Sequence, residues 1–108
     1  MSTEIKTEHP YIVRIESVCG GRPIIKGTRT PVRSIIGYYK LGLSVEEILE
    51  GLPHLSAAQI YDAISYYLDH QEEIERDFKE SRLEAILEKY NLQKDEKGRL
   101  IPKNDMMS

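Results

Sequence analysis

The sequence has no tryptophan, a single phenylalanine and a single cysteine. A lone Cys19 excludes an internal disulfide, and no Cys/His pair has the spacing of a zinc site. No apolar run approaches the roughly 18 residues a membrane span requires. The opening Met1-Ser-Thr-Glu-Ile-Lys6 holds no apolar stretch of the secretory kind. A reduced cytoplasmic protein without a leader or a membrane association is therefore expected. At 108 residues there is no room for a Rossmann domain or an α/β barrel. What remains is 40% hydrophobic and 31% charged residues, enough for one modest core under a well-solvated surface.

The net charge of -3 conceals an asymmetry. Residues 1–40 carry seven Lys/Arg against three acids, for a net +4, and residues 41–108 a net -7. A basic front and an acidic back point to two surfaces for different partners, one of them polyanionic. Two solvated faces account for the same numbers.

Residues 1–10 are polar and read as a flexible N-terminus. The alternation over Tyr11–Val18 predicts a strand, Gly20-Gly21 a turn, and Pro23–Lys26 a second strand at an edge. From Gly27 the punctuation is helical. Thr30 is a good N-cap with Pro31 at the first helical position; Val32, Ile35, Ile36 and Tyr39 follow at helical spacing, and Gly42 closes the helix. Ser44-x-x-Glu47 and Ser56-x-x-Gln59 are capping boxes, each with an apolar staple (Leu43/Ile48 and Leu55/Ile60). The periodic stretch 56–90 is one helix or two; a break is expected between Asp69 and Glu73, or near Ser81. Asn91 is the stop, and residues 92–108 read as a mobile tail. The fold class is mainly α: a short β-hairpin, a homeodomain-like three-helix core with a helix-turn-helix over residues 11–78, and a long C-terminal helix and tail over 79–108.

Such a core docks on DNA through the start of its last helix, which here offers Ala57, Ala58, Gln59, Tyr61, Asp62 and Ser65. Gln59 and Tyr61 fall nearest the bases. This helix opens without a cation, and Asp62 repels phosphate. Phosphate contacts therefore fall to Arg22, Lys26, Arg29, Arg33 and Lys40. A trihelical core used only as a protein-binding scaffold is the alternative. Ile74, Phe78, Leu83, Ile86, Leu87 and Tyr90 form an apolar stripe beyond what a small core can bury, which implies a second copy or another protein's groove, with a fold-back onto the hairpin as the alternative. Catalysis is poorly supported. The Gly20–Val32 run lacks a P-loop ending, and Asp69, His70, Glu73 and Asp77 read as a solvated face, so no enzyme activity, metal or cofactor is expected. Of the doublets Tyr38-Tyr39 and Tyr66-Tyr67, one tyrosine each is expected in the core.

The segments Cys19-Gly-Gly-Arg-Pro-Ile-Ile-Lys-Gly-Thr-Arg-Thr-Pro-Val32, Gly42-Leu-Ser-Val-Glu-Glu-Ile48, Pro53-His-Leu-Ser56 and Ile60-x-x-Ala63-x-x-Tyr66-Tyr67 resemble a small bacterial and archaeal family, domain of unknown function 433. Thr30 departs from the aliphatic residue usual there. The resemblance implies a homeodomain-like domain preceded by a hairpin. It also implies kinship with VapB-type antitoxins, which bind a PIN-like ribonuclease toxin and repress their own promoter DNA. The combined expectation is a homodimeric, antitoxin-like DNA-binding regulator, with a protein-interaction adaptor lacking DNA affinity as the alternative.

Overall fold

The computed structural model describes residues 3–102. Three strands open it: β1 (Glu4–Lys6), β2 (Ile12–Ile15) and β3 (Ile24–Ile25), antiparallel in the order β1-β2-β3. The pair β2–β3 is the predicted hairpin. β3 lies at an edge, where the preceding Pro23 removes no ladder bond. Over the described part of residues 1–10, β1 corrects the expectation of a flexible segment, because Glu4, Ile5 and Lys6 pair with Ile15, Arg14 and Val13; Met1 and Ser2 lie outside the described residues. Thr7 builds the return: its hydroxyl donates to the Ile12 carbonyl at 2.7 Å and accepts the His9 amide at 3.1 Å.

Four helices follow: α1 (Val32–Lys40), α2 (Val45–Gly51), α3 (Ala57–Asp69) and α4 (Gln71–Lys89). The cap of α1 falls on Pro31 rather than Thr30, with no side-chain cap bond. The Thr30 hydroxyl is engaged by His54, and the Val32 amide is satisfied by the Pro23 carbonyl at 3.0 Å. At the other end Gly42 takes φ +85, and the Gly42 and Leu43 amides bond the Tyr39 and Tyr38 carbonyls. That is a Schellman closure, and it needs a residue that tolerates positive φ. Both capping boxes are formed as read from the sequence. The periodic stretch does break inside the expected interval, at His70, whose φ -134 and ψ 47 end α3.

The chain divides into two compact units, at Glu75 and Arg76. The core of the first gathers Ile12 and Ile25 from the sheet with Ile35, Ile36, Ile48 and Ile60 from the helices. Ile74 belongs to it as well, at 0% exposure. This corrects its place in the partner-binding stripe: the break at His70 turns the first turn of α4 toward the core. Tyr66 and Tyr67 are both buried, against the expectation of one per doublet. Their hydroxyls reach Glu73 and Glu75, so two phenols can be buried without losing a hydrogen bond.

In the second unit Asn91, at φ +54, stops the helix, and the chain forms an antiparallel hairpin of β4 (Leu92–Lys94) and β5 (Leu100–Pro102). This corrects the reading of residues 92–108 as a tail, as far as Pro102; the rest lies outside the described residues. The turn is built by Asp95, whose Oδ1 accepts the Lys97 and Arg99 amides at 2.9 and 2.8 Å, with Gly98 at φ +81. Among the described residues no helix is long and apolar enough to cross a membrane.

Candidate nucleic-acid interface

α2, the turn Leu52–Ser56 and α3 make the helix-turn-helix. Ala57, Ala58, Tyr61 and Ser65 are exposed on α3, with Tyr61 at 60%. Gln59 is less available than its sequence position suggests, because its Oε1 accepts the Ser56 amide at 2.8 Å in the capping box.

Two hydrogen bonds tie the segments that carry Arg29 and Arg22 to the turn, the second by way of the first. The loop that carries Arg29 is tied to it by a 2.7 Å hydrogen bond between Thr30 Oγ1 and His54 Nε2. The turn before Arg22 is tied to the same loop, since Cys19 Sγ donates to the Arg29 carbonyl at 3.5 Å. Arg33 follows in the first turn of α1. Lys26 is exposed and shares with Lys6, Thr7 and His9 the wall of an open depression of about 220 Å³. Lys40 sits in the last turn of α1, with its ammonium 2.5 Å from Glu75 and 5.9 Å from the Tyr67 ring centre. The Glu75 carboxylate holds the Lys40 pKa above its ordinary value. That pairing engages the Lys40 ammonium within the protein.

Asp62 does not confront phosphate as an uncompensated charge. Its Oδ1 lies 3.0 Å from His9 Nδ1, and its Oδ2 accepts the Tyr11 amide at 2.8 Å. His9 is buried, and its other ring nitrogen lies 2.8 Å from Asp69 Oδ2. Burial opposes a charge on His9, but the two carboxylates outweigh it and raise the pKa. Nearby, His70 stacks on Tyr66 with ring centres 4.3 Å apart and hydrogen-bonds Glu8. Glu8 and His9 carry no signal in the sequence: Glu8 is 62 positions from His70, and no motif spacing links them.

The Tyr66 hydroxyl accepts from the Arg14 guanidinium at 2.7 Å and donates to Glu73 at 2.7 Å, while Arg14 also ion-pairs with Glu73. Burial opposes the charge on Glu73, yet the Tyr66 and Arg14 hydrogen bonds lower its pKa below the ordinary carboxylate range. The stability it lends is present above that range and is lost as acid carries the pH down through the lowered folded value. Glu73→Gln is expected to flatten the decline in stability as the pH falls below the ordinary Glu value of 4.5, read by urea unfolding. An unchanged acid limb would show that Glu73 is not held by this network.

Along α4 and the residue that follows it, the other stripe residues divide by exposure. Phe78, Leu83 and Leu87 are half-buried, whereas Ile86 and Tyr90 are 40% and 60% exposed.

The family described as "Protein of unknown function (DUF433)" matches residues 12–67. An uncharacterized protein, y4eO, of Sinorhizobium fredii is 40% identical over 63 residues, which are 58% of this chain and 26% of that longer protein. A crystal structure of a DUF433 member protein from Anabaena variabilis is 33% identical. It superposes with a TM-score of 0.60 over 64% of this chain and 68% of that one. Because the family match runs from β2 through the basic loop and α1, α2 and most of α3, over half of the chain, this chain belongs to the DUF433 family.

Proposed function

We propose that the chain is an antitoxin-like regulator that binds its own promoter DNA as a homodimer and occludes a PIN-like ribonuclease toxin in the cytoplasm. The observation that carries the DNA half is the Thr30–His54 hydrogen bond, which brings the cationic loop to the turn that opens α3. Arg22, Arg29 and Arg33 supply phosphate contacts on that side, and Lys26 extends them toward Lys6. Tyr61, Ala57 and Ala58 offer the exposed surface that enters the groove, with the alanines suited to a thymine methyl. The neutral start of α3 fits a reader that takes its affinity from flanking cations. The toxin half is assigned to the part of α4 beyond Glu75 and the residue that follows it, where Phe78, Leu83, Ile86, Leu87 and Tyr90 supply an apolar surface among four acids and four bases. Occlusion of a basic RNA-binding groove needs no chemistry from this chain.

A second reading, an adaptor without DNA affinity, draws on the capping of Gln59 and the pairing of Lys40 with Glu75. One titration separates the two. Full-length protein is titrated against its promoter fragment by fluorescence anisotropy over a range of salt. Arg29→Ala combined with Arg33→Ala is expected to flatten the slope of log K against log salt by about 1.8, at about 0.9 per lost phosphate contact. Tight binding with an unchanged slope would remove these two residues from the interface. No salt-sensitive binding by the unmodified protein would favour the adaptor.

A further inference from the structure

We propose that Glu8, His9 and His70 form a binding site for a divalent transition-metal cation of the Zn²⁺ class. One carboxylate oxygen and one nitrogen from each ring lie within 4.8 Å of one another. Glu8 Oε1 is hydrogen-bonded to His70 Nε2 and lies 3.8 Å from His9 Nε2. Two imidazoles and a carboxylate are the donor set of borderline cations such as Zn²⁺, Ni²⁺ and Co²⁺; Mg²⁺ and Ca²⁺ prefer oxygen alone. Three protein ligands leave a coordination position open for water.

Both rings are oriented in advance. The Nδ1–H of His9 donates to Asp62 at 3.0 Å, and Asp62 is itself held by the Tyr11 amide. A carboxylate behind the far nitrogen of a histidine is the usual outer shell of a metal-bound imidazole, fixing its tautomer and raising its basicity. His70 is placed by the end of α3 and by stacking on Tyr66, whose hydroxyl is pinned by Arg14 and Glu73. Asp69, 2.8 Å from His9 Nε2, is positioned to release that nitrogen and accept from a metal-bound water. A cation here takes the place of the protons these groups share, and it ties the segment before β2 to the α3–α4 junction. Glu8, His9 and His70 all lie outside the family match of residues 12–67, so the site does not depend on the DNA-binding reading.

The test is a titration of the full-length chain with Zn²⁺ by calorimetry and with Co²⁺ by visible absorption. One equivalent is expected to bind, with the d–d bands of a nitrogen- and oxygen-ligated Co²⁺, and Mg²⁺ is expected not to bind. Glu8→Gln, at an exposed position, and His70→Gln are each expected to weaken Zn²⁺ binding at least tenfold, an order-of-magnitude threshold for losing a ligand. Circular dichroism checks that each variant is folded. Absence of stoichiometric binding, or equal affinity in folded Glu8→Gln, would overturn the proposal and leave the cluster as ion pairs that anchor the N-terminal segment.

Discussion

Ile74→Ala is expected to lower the stability of the protein by about 2–5 kcal/mol, the usual cost of emptying a fully buried aliphatic site. Ile74 lies on the same helix as Ile86, and the sequence gives no reason to treat them differently. The structure separates them: Ile74 is 0% exposed and packed in the first unit's core, whereas Ile86 is 40% exposed. Ile86→Ala should therefore change stability by no more than about 0.5 kcal/mol. Urea unfolding followed by circular dichroism measures both. If Ile74→Ala left the midpoint in place, the first turn of α4 would not be core, and Ile74 would return to the surface stripe. With Ile74 assigned to the core, the proposed partner surface begins at Phe78.

Asp62→Ala should be nearly as damaging, at about 2–4 kcal/mol, although the residue reads as a surface acid on a recognition helix. Its side chain is 14% exposed and serves two donors, the His9 ring and the Tyr11 amide. Removing one partner of a buried pair leaves an uncompensated charge, which costs about 3–5 kcal/mol when burial is complete. Here Asp69 still faces His9, with a side chain 60% exposed, and this reduces the loss. Asp62→Asn keeps an acceptor for the Tyr11 amide and should fall between the two. Hydrogen exchange gives the sharper readout. The amides of β1 and its turn into β2 should exchange faster in Asp62→Ala, while those of α1 keep their relative protection. Equal protection throughout, with an unchanged unfolding midpoint, would mean that Asp62 does not hold the N-terminal segment.

The same residue explains how the charge pattern divides. A carboxylate near the start of a DNA-facing helix repels phosphate only while its charge is uncompensated. Here the Asp62 carboxylate is engaged within the protein, by the His9 ring at 3.0 Å and the Tyr11 amide at 2.8 Å. The basic loop can therefore dominate the electrostatics of that face without a cation on α3 itself.

What the sequence determined by itself is whatever is encoded within a few residues. Ser44–Glu47 and Ser56–Gln59 are legible because a capping box joins positions three apart, and its partners are fixed by helix geometry. Gly42, the alternation from Ile12 and the family segments are legible for the same reason. Where local rules competed with a distant partner, the distant partner decided. Thr30 has the chemistry of an N-cap, but His54, 24 positions on, takes its hydroxyl and leaves the cap to Pro31. The polar opening segment has the composition of a frayed end, yet Thr7 closes a turn that makes it a strand. His70 ends a helix with no glycine or proline to announce it. Ile74 differs from Ile86 only through that break. Glu8, His9, Asp62, Asp69 and His70 meet across more than 50 positions, because the sheet is laid against α3 at one register and one angle. No periodicity in the chain records that angle; it is set by how the isoleucines of β2, β3, α1 and α3 fill a shared volume, and only the packed structure decides it.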